Sequence, residues 1–160
     1  MGNWKLTFFA SAAVVGLAVF FLLSTGPPLV GEITQVRTLG MERTSSVVLV
    51  NFSVTNNTGN PIVIYSKRLA MIESDGDRHP GSNVTIPDVK QLFDYFTELG
   101  GMGDTPLVPK TEVPPGETLK ALAGARFEVP KHNLDDRQAI VLTLTDGLGR
   151  ESELRLEQAP

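Results

Sequence analysis

The 160-residue chain has no cysteine and only two histidines, His79 and His132. Lack of cysteine excludes disulfides, thiolate metal sites, a cysteine nucleophile and a lipid-modified cysteine. Two histidines leave little room for a zinc enzyme or a histidine-based triad. Excess positive charge is also missing. Fourteen Lys and Arg stand against 18 Asp and Glu, a net charge of −4, which does not suit a phosphate backbone and argues against nucleic acid as a partner. The chain contains no G-x-S-x-G elbow, no S-x-x-K box, no internal repeat and no low-complexity tract. Gly100-Gly101-Met102-Gly103 precedes no basic P-loop residue. These absences point to a protein that acts by binding, without catalysis and without a cofactor.

What the chain does have is one long apolar run. Residues Leu6 to Leu23 carry no charge, and eighteen helical residues reach about 27 Å, close to the hydrocarbon thickness of a bilayer. The apolar core of a signal peptide is shorter, about 7–15 residues. Here the small residues Ser24-Thr25-Gly26 are followed at once by Pro27-Pro28, a poor setting for cleavage. Lys5 flanks the run on its N-terminal side, whereas the first basic residue beyond it is Arg37. The positive-inside rule then places the N-terminus in the cytoplasm and the body outside, with Trp4 at the inner interface. The expected organisation is a cytoplasmic N-terminus and transmembrane anchor over residues 1–25, a stiff linker over 26–30, and one extracytoplasmic domain over 31–160. Such a protein is a single-pass component of the cell membrane with its C-terminal domain extracytoplasmic; the alternative is secretion after signal cleavage.

The body reads as strands. Val48, Val50, Phe52 and Val54 alternate with Leu49, Asn51, Ser53 and Thr55, the period of a strand with one greasy and one mostly polar face. A first strand is expected over Gly31–Thr38. After the turn Asn56-Asn57-Thr58-Gly59-Asn60-Pro61, strands follow at Ile62–Ser66 and Leu69–Glu73, the latter entering an Asp75-Gly76 hairpin. Further strands lie at Thr118–Val129, Ala139–Thr145 and Glu151–Leu156, separated by turns such as Asp146-Gly147-Leu148-Gly149. The pattern predicts an all-β antiparallel sandwich of about seven strands. Its expected core is Val48, Val50, Phe52, Val54, Phe127, Ile140, Leu142 and Leu144.

One stretch departs from this pattern. Val89, Leu92, Phe93, Phe96 and Leu99 recur at helical spacing and predict a short inserted helix over Pro87–Leu99. Thr85 and Asp88 suit a capping box, while Pro87 as first helical residue moves the cap to Ile86. Gly100-Gly101 is expected to close the helix in a left-handed cap. The apolar stripe either packs across an open end of the sandwich or docks a partner, which makes Leu92, Phe93, Phe96 and Leu99 the candidate interaction residues.

Three turns in order resemble a known group. Val48–Thr55 runs into the Asn-rich turn, Met71-Ile72-Glu73-Ser74-Asp75-Gly76-Asp77 forms a hairpin, and Val113-Pro114-Pro115-Gly116-Glu117-Thr118 leads to Phe127-Glu128-Val129-Pro130. The order is similar to that of the bacterial telokin-like immunoglobulin sandwiches, small exported or membrane-anchored domains, and covers roughly Thr44 to Thr145. The resemblance implies an immunoglobulin-like fold and carries no catalytic residues.

The polar clusters are few. Glu73, Asp75 and Asp77 are the candidate metal ligands, within an acidic hairpin loop over residues 73–83 that also holds Arg78, His79 and Asn83. Alternate carboxylates can chelate Ca²⁺, though the EF-hand spacing is absent, and Asp75-Gly76 also suits a plain hairpin tip. Asp135-Asp136 beside His132 reads as a solvated loop. Asn51, Asn56 and Asn83 match the N-glycosylation triplet but read as turn chemistry, and Pro106-Leu-Val-Pro109 reads as a spacer. The functional expectation is a membrane-anchored adaptor that docks an envelope protein; the alternative is a small-ligand or Ca²⁺ site at the acidic hairpin.

Overall fold

The structure, a computed structural model, describes residues 26–158. The expected span over residues 6–23 lies outside them. Among the described residues, no helix is long and apolar enough to cross a membrane.

Two antiparallel sheets pack face to face. In the first, β1 (Leu29–Glu42), β2 (Ser45–Asn56), β7 (Thr118–Phe127) and β5 (Ser82–Asn83) lie in that order. In the second, β3 (Ile62–Ile72), β8 (Ala139–Asp146) and β9 (Glu151–Glu157) run side by side, while β4 (Arg78–Pro80) and β6 (Thr111–Val113) share the free edge of β3. Nine strands therefore stand among the described residues where about seven were expected. β4, β5 and β6 have only two or three residues each, too few for a period-two signal. β1 opens at Leu29, inside the expected linker. The expected strands Ile62–Ser66 and Leu69–Glu73 are one continuous β3, with a register irregularity between Ile64 and Ser66.

All eight expected core residues lie in one buried cluster between the sheets. Alternation along β2 puts Val48, Val50, Phe52 and Val54 inward with no exposure at all. The other face of β2 is not the polar one expected. Val47, Leu49 and Asn51 are buried as well, because a third layer covers them.

That layer is the inserted helix, α1 (Ile86–Tyr95), followed by a 3₁₀ turn over Thr97–Leu99. Thr85 is the cap: its hydroxyl accepts from the Asp88 N–H and donates to the Asp88 carboxylate. Pro87 sits in the first turn, where an amide proton would have no intrahelical partner anyway. The helix stops at Tyr95 because Phe96 is extended, at φ −111° and ψ 90°. Gly100 closes the 3₁₀ turn at φ 70° and ψ −155°, so the expected left-handed cap on a helix reaching Leu99 is corrected.

The helix position is corrected too. It lies on the outer face of the first sheet, with Val89, Leu92 and Leu99 packed on Leu39, Val47, Leu49 and Leu122. Gly124 of β7 makes the approach possible. A Cβ there would come within 2.8 Å of Leu49 Cδ2 and 3.3 Å of Val89 Cγ2. The sandwich core is instead completed by α2 (Lys131–Asp135), whose Leu134 is fully buried in the main cluster. One helical turn is too short for periodicity to reveal, which is why this stretch reads as a loop. Pro106–Pro109 is likewise more than a spacer: Pro106 bridges Leu122 of β7, and Leu107 is buried in the core.

Both flanks of the sandwich are tied. The Leu29 N–H donates to Ser152 Oγ at 3.0 Å, and Asn83 Nδ2 donates to the Lys67 carbonyl at 3.0 Å. Chain entry at Leu29, the 57–61 turn and the 147–150 turn mark one pole. The β1–β2 turn, the 73–77 hairpin and α2 mark the other, roughly 40 Å away along β1.

Candidate functional site

The acidic hairpin does not assemble as a ligand cage. Glu73 Oε1 faces His79 Nε2 at 3.4 Å. Asp75 Oδ1 accepts the backbone N–H of Asp77 at 3.0 Å, closing the turn around Gly76, whose φ is 93°. Arg78 reaches sideways to Glu153 Oε2 at 3.0 Å and Thr143 Oγ1, and Asn83 is engaged at Lys67. Among the described residues no three His, Asp or Glu side chains are grouped to hold a metal ion.

At the same pole, Asp135 ties α2 to the sandwich. It accepts from Thr38 Oγ1 at 2.8 Å and pairs with Lys131. Burial pushes its carboxyl upward, but the Lys131 and Thr38 bonds outweigh this and leave it below its ordinary value. His132 and Asp136 belong to the same turn, the Asp136 N–H donating to the His132 carbonyl.

The three asparagines of the N-glycosylation triplets are all engaged. Asn56 is fully buried and donates to the Asn60 and Val113 carbonyls while accepting from Thr58. Asn51 accepts from Arg37 at 2.6 Å and donates to Asp104 Oδ2 at 2.7 Å. Lys67 is opposite Leu144 on the inner face of β3, and its ammonium donates to the Leu107 carbonyl at 3.3 Å. Burial pushes the Lys67 ammonium down. An inward lysine on an edge stretch also discourages strand addition there.

An apolar-walled groove lies beside α1. It has a volume of about 420 Å³, with the buried Val47 and Leu92 and the half-buried Val84 and Phe96 in its wall and Asp88 and Arg126 at its margin. Met41 at the end of β1 and Tyr95 at the end of α1 stand out of it, 42% and 79% exposed. Of the candidate interaction residues, Leu92 and Leu99 are packed into the sheet. Phe93 is half-buried beneath Arg37, and Phe96 is half-buried in the groove. Tyr95 was missed because it falls off the apolar stripe. An aromatic on the polar side of an amphipathic helix was the available signal. Met41 carried none.

No protein-family model matches the chain, and no curated protein matches it. Solved structures to which this chain is similar include a Bacillus subtilis protein, YcdA, described as a candidate lipoprotein. It is 10% identical, with a TM-score of 0.49, over 83% of this chain and 39% of that one. A conserved hypothetical protein from Bacillus anthracis is 13% identical, with a TM-score of 0.41, over 82% of this chain and 90% of that one. This chain thus spans about two fifths of the Bacillus subtilis protein.

Proposed function

We propose that the protein is a non-catalytic docking module of the bacterial cell envelope, held at the inner membrane by residues 6–23. Its body, on this reading, is an immunoglobulin-like sandwich of the telokin-like kind placed outside the cytoplasm. The observation that carries the reading is the groove beside α1. Met41 and Tyr95 stand exposed over an apolar wall, an arrangement that favours seating one apolar anchor residue of a protein partner. Asp88 and Arg126 at the margin would orient that partner rather than hold it. The groove's position is consistent with tethering: Met41 is near the far end of β1 from chain entry, so a membrane-held domain presents it outward.

Two measurements test this. A photo-crosslinking residue at position 95 of the full chain, in native membranes, should yield a discrete adduct that disappears when Met41 is changed to Glu. The same residue at position 153, on the other sheet, should yield none. Equal labelling from both positions, or no adduct from 95, would remove the groove as a docking site. A periplasm-active reporter fused after Pro160 should be active; an inactive one would place the domain in the cytoplasm.

A further inference from the structure

Among the described residues seven large apolar side chains stand exposed. Met41 and Tyr95 belong to the groove, and Leu156 lies in the far half of β9. Of the other four, Val30 stands at chain entry and Leu148 on the 147–150 turn of the same pole, with Tyr65 against that turn and Val108 farther along the body beside Tyr65. Leu148, 80% exposed, is the tip of the β8–β9 turn. The Tyr65 ring lies against Gly147 of that turn, close enough that a Cβ on Gly147 would come within 2.9 Å of it. Tyr65 and Val108 line one small hollow. Val30 shares another with Pro27, Pro28 and Arg150.

Leu148 is held outward by a rigid turn. The Asp146 carboxylate accepts the backbone N–H groups of Leu148 and Arg150, at 2.9 and 2.8 Å, and also the Arg150 guanidinium. An apolar tip fixed in this way cannot fold back to hide itself.

What covers this pole follows from the length of chain that precedes it. Ser24 to Pro28 are the only residues between the apolar run ending at Leu23 and the first strand residue, Leu29. Even fully extended, that connection spans no more than about 20 Å. The polar layer on each side of a bilayer is of order 5–8 Å thick, so the pole is within reach of it. Tyrosine is enriched at that boundary. The charges on this side are mixed, Lys110 and Arg150 against Glu112, Glu117 and Glu151, which favours apolar contact over attraction to anionic headgroups.

We infer that the pole marked by Val30 and Leu148, with Tyr65 against its turn, is a membrane-contact surface that rests in the interfacial layer of the bilayer holding residues 6–23. The inference rests on the anchor reading proposed above. Contact at this pole orients the sandwich, with the groove beside α1 turned away from the lipid.

The absence of native cysteine makes the test direct. In the full chain, Leu148→Cys and, at the opposite pole, Asp75→Cys each take one polarity-sensitive fluorophore. Each labelled protein is reconstituted into phosphatidylcholine vesicles with and without nitroxide-bearing phosphatidylcholine, and vesicle flotation is measured alongside. The expected result is flotation of both, with emission at 148 shifted to the blue and quenched by lipid several-fold more than at 75, in low and high salt alike. Flotation with equal quenching at 148 and 75 would overturn the contact and leave the anchor standing. Failure to float would overturn the anchor reading and this inference with it.

Discussion

The Arg37 guanidinium lies 5.4 Å from the centroid of the Phe93 ring, so a side chain of β1 clamps the helix that covers its own sheet. The same guanidinium donates to Asn51 Oδ1 at 2.6 Å and to the Gly101 carbonyl at 2.8 Å. Asn51 in turn donates to Asp104 and the Met102 carbonyl. The glycine-rich segment after the helix, which by composition alone could swing, is thereby strapped to the sheet. Arg37→Ala should cost about 1–3 kcal/mol, the combined scale of a cation–π contact and a charge-assisted hydrogen bond. Hydrogen exchange should quicken over residues 97–104 and stay unchanged over Val48–Val54. Uniform acceleration across the domain would show that the strap does not act locally.

Gly124 tests the third layer. A valine there must displace Leu49 or Val89, and overpacking of this kind costs about 1–3 kcal/mol. Gly124→Val should weaken protection of Ile86–Tyr95 more than that of β8. A variant as stable as the parent would mean that the helix does not sit on this strand.

Phe52 tests the main core. It is fully buried between the sheets, and truncating such an aromatic to alanine costs about 3–5 kcal/mol. Small domains hold only about 5–15 kcal/mol in all. Phe52→Ala should therefore lower the urea midpoint sharply with little change in slope; an unchanged midpoint would contradict the packing.

Asp146 predicts the acid limb of stability. Burial raises its pKa, but the backbone and guanidinium bonds from Arg150 and the Leu148 N–H outweigh this and hold it below the ordinary carboxylate range. The folded state thus keeps the charge to lower pH than the unfolded chain does. The stabilisation is fully present above the unfolded value of about 4 and is lost as pH falls through the folded one. Asp146→Asn should lower the urea midpoint at pH 7, and the gap from the parent protein should close below about pH 4. A gap that stays constant with pH would assign the effect to geometry and not to charge.

Local physics made much of the sandwich legible in the chain. Alternation placed Val48, Val50, Phe52 and Val54 on one face, and turn-forming residues at 56–61, 75–76 and 146–149 separated the strands, because both signals arise between near neighbours. The stripe over Val89, Leu92, Phe93, Phe96 and Leu99 announced an apolar helix face for the same reason. Periodicity says that a face must be covered; it does not say by what. Only the tertiary structure laid that helix on Leu49 and Leu122, buried the second face of β2, and sent Leu134 from a single helical turn into the core. The groove was equally hidden, since Met41 and Tyr95 come from distant parts of the chain and meet only because the helix is seated against the sheet. Burial and register over long sequence separations are settled by which surfaces exclude water together, and no short window of sequence contains that information.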